Sequence, residues 1–186
     1  MLKRVIPIIL ILVMLCSCSG VQKVETEPYR METMYDTYEG NGFSFKYDAS
    51  IYKVSEVDGS SLYKLTGLSD RRESISIHKA KASGQVNSIL SENMRKMFEN
   101  TGQYQYIENF TFNQTYISDA AAVSAEFDAA LRYENEDDTI LEPYHIVSYI
   151  IECPDGEQLT IVLKESPDLY PFKSEVFSKL LESLTV

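Results

Sequence analysis

Two histidines, His78 and His145, are the only imidazole side chains in the chain of 186 residues. Imidazole is the side chain used most often for general acid–base catalysis. His78 alternates with Ser76, which predicts a solvent-facing position on a strand, and His145 shares a face with Val147 and Tyr149, which is typical of a strand histidine satisfied within the fold. Neither lies in a metal-binding spacing such as HExxH. The sequence spacing thus identifies no histidine site, but the fold could still bring a histidine next to an acid and a nucleophile. The alternative hypothesis is an envelope hydrolase with such a site near His145 or His78.

Other reactive groups point to no known chemistry. The sequence lacks phosphate-binding loops, dinucleotide-binding turns and the serine motifs of acyl transfer. An acidic run lacks the spacing and the turn glycine of a calcium loop, so it predicts a solvated loop; its members are Glu134, Glu136, Asp137 and Asp138. Cys153 has no neighbouring cation in the sequence and is predicted to be an ordinary half-buried thiol. We predict no catalytic residue, no cofactor and no metal site.

The first seventeen residues have the layout of an export signal. Lys3 and Arg4 form a positive start, and the apolar run that follows is shorter than the roughly 20 residues of a spanning helix. Residues 15–18 resemble the lipobox of bacterial lipoproteins, in which an aliphatic residue and two small residues precede an acylated cysteine. They are Leu15, Cys16, Ser17 and Cys18. The resemblance implies a signal peptide at 1–17 and a diacylglycerol on Cys18, and two acyl chains suffice for stable anchoring.

Two other interpretations of the leader stay open. Acylation of Cys16 would place Leu15 directly before the cut, where small residues are preferred. An ordinary secreted protein would be cut after Ser17 or Ser19. With lipid on Cys18, we expect the protein on the extracytoplasmic face of a cell membrane, with Cys153 as its single remaining thiol.

Composition and charge indicate one globular domain. Hydrophobic residues make up 44% and charged residues 24% of the chain, which is enough for a packed core and a soluble surface. The net charge is −11, and loss of Lys3 and Arg4 with the leader would bring it to −13. Such a chain repels phosphate backbones, so nucleic acid is not expected as a partner.

Residues 18–40 show no sustained hydrophobic period and carry several carboxylates, which favours a flexible tether. The alternative is that Tyr29, Tyr35 or Tyr38 docks on the domain. Asn41 and Gly42 form a turn signal, and we predict a single domain at 41–186.

Two periodicities follow one another along this domain. Alternation with a period of two predicts strands at 43–47, 61–65, 73–79, 104–117, 121–131 and 144–153, and a return strand after a turn at 154–156. In the strand at 104–117, alternation places the aromatic side chains on one face: Tyr104, Tyr106, Phe110, Phe112 and Tyr116.

Helical spacing predicts a helix at 85–100 and another after Pro171. The second helix has a wide apolar stripe formed by Phe172, Val176, Phe177, Leu180, Leu181 and Leu184, and polar positions that include Lys173. Because the strands come in consecutive runs, we predict an α+β fold in which helices flank an antiparallel sheet.

The order of elements resembles the Mog1/PsbP-like family over residues 42–186. The resemblance rests on the opening Gly42-Phe43-Ser44-Phe45-Lys46-Tyr47, the mid-chain helix, the long aromatic strands and the closing Phe177-x-x-Leu180-Leu181-x-Ser183-Leu184. The chain departs from the family in having no tryptophan, and Asp48 and Tyr52 stand near the place of the family's proline and tryptophan. The resemblance implies an α/β/α sandwich and a binding role, and it supplies no catalytic residue.

From these observations we expect a membrane-anchored extracytoplasmic lipoprotein that binds an envelope protein or a small ligand without catalysis. A structural spacer with no ligand is a third hypothesis. Fold resemblance alone is a weak guide to function.

Overall fold

The part of the chain that the structure describes forms a two-stranded hairpin, a seven-stranded antiparallel sheet and two α-helices. The structure, a computed structural model, describes residues 33–57, 61–68, 73–134 and 139–186. Its strands are β1 (Tyr35–Gly40), β2 (Phe43–Asp48), β3 (Tyr52–Glu56), β4 (Leu62–Gly67), β5 (Glu73–Lys81), β6 (Tyr104–Ile117), β7 (Ala120–Glu134), β8 (Thr139–Glu152) and β9 (Glu157–Glu165). A 3₁₀ helix (Val86–Ser88) precedes α1 (Ser91–Asn100), and α2 (Tyr170–Glu182) closes the chain.

The large sheet has the strand order β3-β4-β5-β9-β8-β7-β6, and every neighbouring pair is antiparallel. The predicted antiparallel sheet with two helices is thereby confirmed, although β3 was not predicted. The predicted helix at 85–100 is interrupted: Ile89 is extended, and α1 begins only at Ser91.

Apolar side chains on both faces of β8 divide the core in two. Val147 and Ile151 point to a first face, and Ile146 and Ile150 point to a second face. The first face is covered by α2 and the β1–β2 hairpin. The second is covered over β6, β7 and β8 by the 3₁₀ helix and α1. Burial on both faces explains why β8 reads as continuously apolar.

The domain begins before the predicted boundary at residue 41. All six residues of β1 pair with β2. The ring of Tyr38 lies 5.2 Å from the rings of both Phe45 and Tyr63. The prediction of a flexible tether is therefore wrong for residues 35–40, and docking holds for Tyr38. The tether up to residue 32, including Tyr29, lies outside the described residues. The sequence signal was weak because β1 is held mainly by backbone pairing and is mostly exposed.

The predicted aromatic face of β6 is wrong at Tyr106. Register shifts fall between Gln105 and Glu108 and between Glu108 and Thr111. Tyr106 and Asn109 have positive φ angles of 54° and 51°. These bulges reverse the side-chain alternation, so Tyr104 is buried whereas Tyr106 is 73% exposed.

The closing helix α2 packs as predicted through four of its stripe residues and differs at its first turn. Phe177, Leu180 and Leu181 of the helix are buried, and so is Leu184, which lies just after its end. Phe172, predicted in the stripe, is 57% exposed, and Lys173, predicted on the polar side, is buried. Periodicity alone missed this because Lys173 has buried partners supplied by the sheet, described below.

A buried lysine of β5 links the β1–β2 hairpin to the large sheet by a hydrogen bond. The ammonium of Lys79 donates to the carbonyl of Asn41 at 2.9 Å and to Asp155 at 2.5 Å, and it lies 3.3 Å from a carboxylate oxygen of Glu157. The hydrogen bond to Asp155 raises the pKa of Lys79. Gly42 has φ +77°, and a Cβ there would lie 3.0 Å from this ammonium. The Asn41–Gly42 turn thus suits both the backbone and the lysine.

We predict that Tyr38→Ala lowers the free energy of unfolding by about 2–3 kcal/mol, somewhat less than truncation of a fully buried aromatic residue. The physical reason is the loss of its ring contacts with β2 and β4. Tyr35→Ala, in the same strand but 50% exposed, is the matched control and should change it by about 0.5 kcal/mol or less. Urea denaturation of the chain from residue 19 onward measures both. Equal effects would mean that β1 is not anchored through Tyr38.

Candidate functional site

His145 lies at the centre of a polar cluster on the first face of the sheet. Register pairs His145 of β8 with Asp128 of β7, and Glu126 lies two residue pairs further along, on the same face. Nδ1 of His145 is 2.7 Å from Oδ1 of Asp128, and Nε2 is 2.9 Å from Oε1 of Glu126. Both imidazole nitrogens are therefore bonded to carboxylates from one neighbouring strand.

This geometry has an electrostatic consequence. An ionised carboxylate only accepts hydrogen bonds, so both nitrogens of His145 can donate at once only in the imidazolium form. Asn109 donates to the other oxygen of Asp128 at 2.7 Å. Together the Asn109 amide and His145 lower the pKa of Asp128. Both carboxylate oxygens of Asp128 are therefore hydrogen-bonded, one to Asn109 and one to His145.

The two flanking elements reach the cluster by different means. The second bulge of β6 gives Asn109 its positive φ and brings its amide to Asp128. At the start of α2, the ring of Tyr170 packs 3.9 Å from the ring of His145, and its hydroxyl lies 3.4 Å from Glu126. Burial and the nearby charge of Glu126 raise the pKa of Tyr170 to about 12, which keeps the hydroxyl protonated as a donor.

A buried ionic network adjoins this cluster across β9. Glu165, the register partner of His145, accepts a hydrogen bond from Ser74. Ser74 lies at the β5 register shift and also bonds to the hydroxyl of Tyr52 at 3.1 Å. The ammonium of Lys173 lies 3.9 Å from Glu165 and 4.3 Å from the centre of the Tyr52 ring. Mutual pairing explains how an acid and a base are both buried here.

The arrangement leaves neither imidazole nitrogen of His145 facing a nucleophile. In a serine or cysteine hydrolase one imidazole nitrogen faces the nucleophile, whereas Glu126 and Asp128 occupy both nitrogens of His145. The two carboxylates also bond to opposite sides of the ring, so they cannot chelate one ion together with it. Among the described residues, no group of three or more His, Cys, Asp or Glu side chains is placed to hold a metal.

The other residues of interest lie apart from this cluster. His78 is exposed on the second face and pairs with Leu62 and Thr160. Cys153 is buried, and burial raises the pKa of its thiol. The acidic run at 134–138 and Cys18 fall outside what the structure describes of side chains. Within the described ranges, no helix is both long and apolar enough to cross a membrane.

Sequence reasoning placed His145 on a strand but missed its partners. Glu126 and Asp128 alternate with the buried residues of β7 and look like solvated strand positions. Their approach to His145 depends on the β7–β8 register. The sequence alone does not determine which residues of β7 and β8 lie opposite one another.

Comparison with known structures identifies the fold class. The solution structure of cyanobacterial PsbP (CyanoP) from Synechocystis sp. PCC 6803 matches with a TM-score of 0.59 and 16% identity, covering 91% of this chain and 97% of that one. PA94 of Pseudomonas aeruginosa, a protein of unknown function, matches with a TM-score of 0.45 and 15% identity over 82% of this chain and 96% of its own. The chain has a PsbP-like fold.

Sequence comparisons add no closer assignment. No protein-family profile matches the chain, and no curated protein matches it significantly. At 16% identity, the similarity to CyanoP shows the fold alone.

We predict that Asp128→Asn makes stability less sensitive to acid. The pKa of Asp128 is lowered in the folded state. The ionised carboxylate therefore adds to the free energy of unfolding at pH values above its unfolded-state pKa near 3.8, and this stabilisation is lost as the pH falls. Because its side chain is 44% exposed, the effect should be about 1 kcal/mol or less. The free energy of unfolding of wild type and variant, measured from neutral pH to acid, should converge at low pH.

A double-mutant cycle supplies the control. Asn109→Ala should reproduce part of the effect in the wild type and add little to Asp128→Asn, because the two side chains share one hydrogen bond. Asn113→Ala, an exposed asparagine on the same strand, should leave the pH profile unchanged. Additive effects of Asn109 and Asp128 would contradict the coupling.

Proposed function

We propose that the protein is a lipoprotein anchored through Cys18 to the extracytoplasmic face of a membrane, where its PsbP-like domain binds an envelope protein or a small ligand. The anchor is supported by the leader and the lipobox-like residues that end at Cys18. On this proposal the domain is a Mog1/PsbP-like α/β/α sandwich, with α1 and α2 on opposite sheet faces.

The observation that supports the binding role is that both imidazole nitrogens of His145 are hydrogen-bonded to carboxylates. Its ring is held by two carboxylates and packed on Tyr170, so it is fixed in place without a free nitrogen for proton transfer. Glu126 is exposed, and its side chain is 48% accessible. A rigid polar surface with accessible acceptors suits recognition of a hydrogen-bonding or cationic group on a partner.

A hydrolase near His145 or His78 is the alternative. It would require Glu126 or Asp128 to leave the ring of His145 so that a nitrogen could face a nucleophile. At His78, register places Leu62 and Thr160 on either side rather than an acid. No observation favours this alternative over binding.

We predict that Cys18→Ala abolishes incorporation of a fatty-acid analogue in cells, because the acylated sulfur is removed. Cys16→Ala should retain the label and serves as the matched control, since it changes the other leader cysteine. Gel fluorescence of the purified protein measures both. Label retained in Cys18→Ala, or lost in Cys16→Ala, would contradict lipidation at Cys18.

We predict that a photo-crosslinking residue at Thr111 captures a discrete partner in intact cells. Thr111 is exposed and pairs with Glu126 across the β6–β7 ladder, so it borders the polar cluster. The same residue at exposed Glu92 of α1, on the second face, is the positional control. The adduct at Thr111 should weaken in the Glu126→Gln background. Adducts of equal yield at both positions would contradict binding at this cluster.

A further inference from the structure

The last part of β6 forms an open edge of the large sheet. β6 is the final strand in the sheet order and has β7 on one side only. The register with β7 is unbroken from Thr111, opposite Glu126, to Ile117, opposite Ala120. Among the described residues, no strand pairs with the other side of this stretch. We call it the 111–117 edge.

The turn after β6 determines which backbone groups of this edge point outward. Only Ser118 and Asp119 separate Ile117 from Ala120, and their φ angles of 47° and 67° are both positive, as in the two-residue turns of β-hairpins. In such a hairpin the two flanking residues exchange both backbone hydrogen bonds, and bonded and non-bonded pairs then alternate along the strands. The residues whose N–H and C=O point away from β7 are therefore Phe112, Gln114 and Tyr116.

The other sheet edges carry features that block pairing with another chain. The opposite edge strand, β3, has five residues and includes Lys53 and Glu56. The first half of β6 contains two register shifts, and Arg95 of α1 donates to the Ile107 carbonyl there at 3.1 Å. Short strands, charges and bulges all protect an edge from association. The 111–117 edge has an unbroken register and contains no charged residue, proline or glycine.

We propose that the 111–117 edge pairs antiparallel with the same edge of a second copy of the protein, around a two-fold axis at Gln114. The outward-pointing residues are spaced symmetrically about Gln114, so the edge is complementary to itself, as a two-fold interface requires. Gln114 then lies opposite Gln114 of the second copy, and Phe112 lies opposite Tyr116. Each of these pairs exchanges two backbone hydrogen bonds, and the two seven-stranded sheets become continuous.

The side chains of the edge suit this pairing. On the second face, symmetry places Phe112 of each copy beside Tyr116 of the other, and aromatic cross-strand pairs stabilise a sheet. Tyr116 is 69% exposed in the single chain, so its ring is accessible to a second copy. The chain has a net charge of −11, which makes two copies repel each other. An uncharged edge is the surface at which they can approach with least repulsion.

Charge placed at the two-fold axis tests the proposal. The chain from residue 19 onward should dimerise in sedimentation equilibrium, measured up to about 1 mM protein because strand pairing alone makes a small interface. Gln114→Lys and Gln114→Glu should each weaken dimerisation at least tenfold, since like charges then meet at the axis. An equimolar mixture of the two variants should recover association to within about threefold of the wild type. Asn100→Lys, exposed at the end of α1, is the matched control and should dimerise like the wild type.

Disulfide trapping tests the register of the pairing. Gln114→Cys should give a covalent dimer under mild oxidation, because the Cα atoms of a hydrogen-bonded antiparallel pair lie about 5.5 Å apart, within the reach of a disulfide. Thr111→Cys, exposed on the same edge, is the matched control. Its two copies would lie roughly 20 Å apart and should not cross-link. The wild type, in which buried Cys153 is the one thiol from residue 19 onward, should run as a single chain on a denaturing gel.

Several results would overturn the pairing. They are a wild type that stays monomeric at the highest concentration, dimerisation unaffected by Gln114→Lys, and a charge mixture that does not recover association. Equal cross-linking of Gln114→Cys and Thr111→Cys, or none in either, would overturn the two-fold register. The proposal requires neither lipid on Cys18 nor a ligand at the His145 cluster, so its failure would leave the proposed function standing.

Discussion

The central constraint on this molecule is that strand β8 is apolar on both faces. Ile146 and Ile150 need cover on one side, and Val147 and Ile151 need it on the other. Burial of apolar area is the dominant favourable contribution to folding, so neither side can be left to solvent. The β1–β2 hairpin and α2 meet the first need, and the 3₁₀ helix with α1 meets the second.

The ionic residues of the first face lie at that end of α2 where its apolar contacts with the sheet stop. At the start of α2 the first face turns from apolar to ionic, and Lys173, Glu165 and His145 follow one another across the helix and two strands. Charged groups at such a boundary need partners, because an unpaired buried charge is costly. The network is thus a consequence of where the helix begins, and it also gives the helix a defined starting point.

The sequence predicted the antiparallel sheet and both helical regions because strand and helix periods are read directly from apolar residues. It failed where backbone pairing or bulges decide the outcome. β1 has little apolar content, so its pairing left no hydrophobic pattern, and the bulges at Tyr106 and Asn109 cannot be read from alternation. The partners of His145 depend on strand register, which brings together residues seventeen and nineteen positions apart.

The distribution of charge follows from the same topology. A strand covered on both faces can carry few charged side chains, whereas β3, β4, β5 and β9 are covered on one face and carry charge on the other. Lys53, Lys64 and Lys164 share that open side because antiparallel register places alternate residues of neighbouring strands side by side. The acidic residues around His145 occupy the opposite face for the same reason. A one-residue slip in β9 would move Lys164 into the first core and Leu163 into solvent, so the packing that buries the core also fixes which charges share a surface.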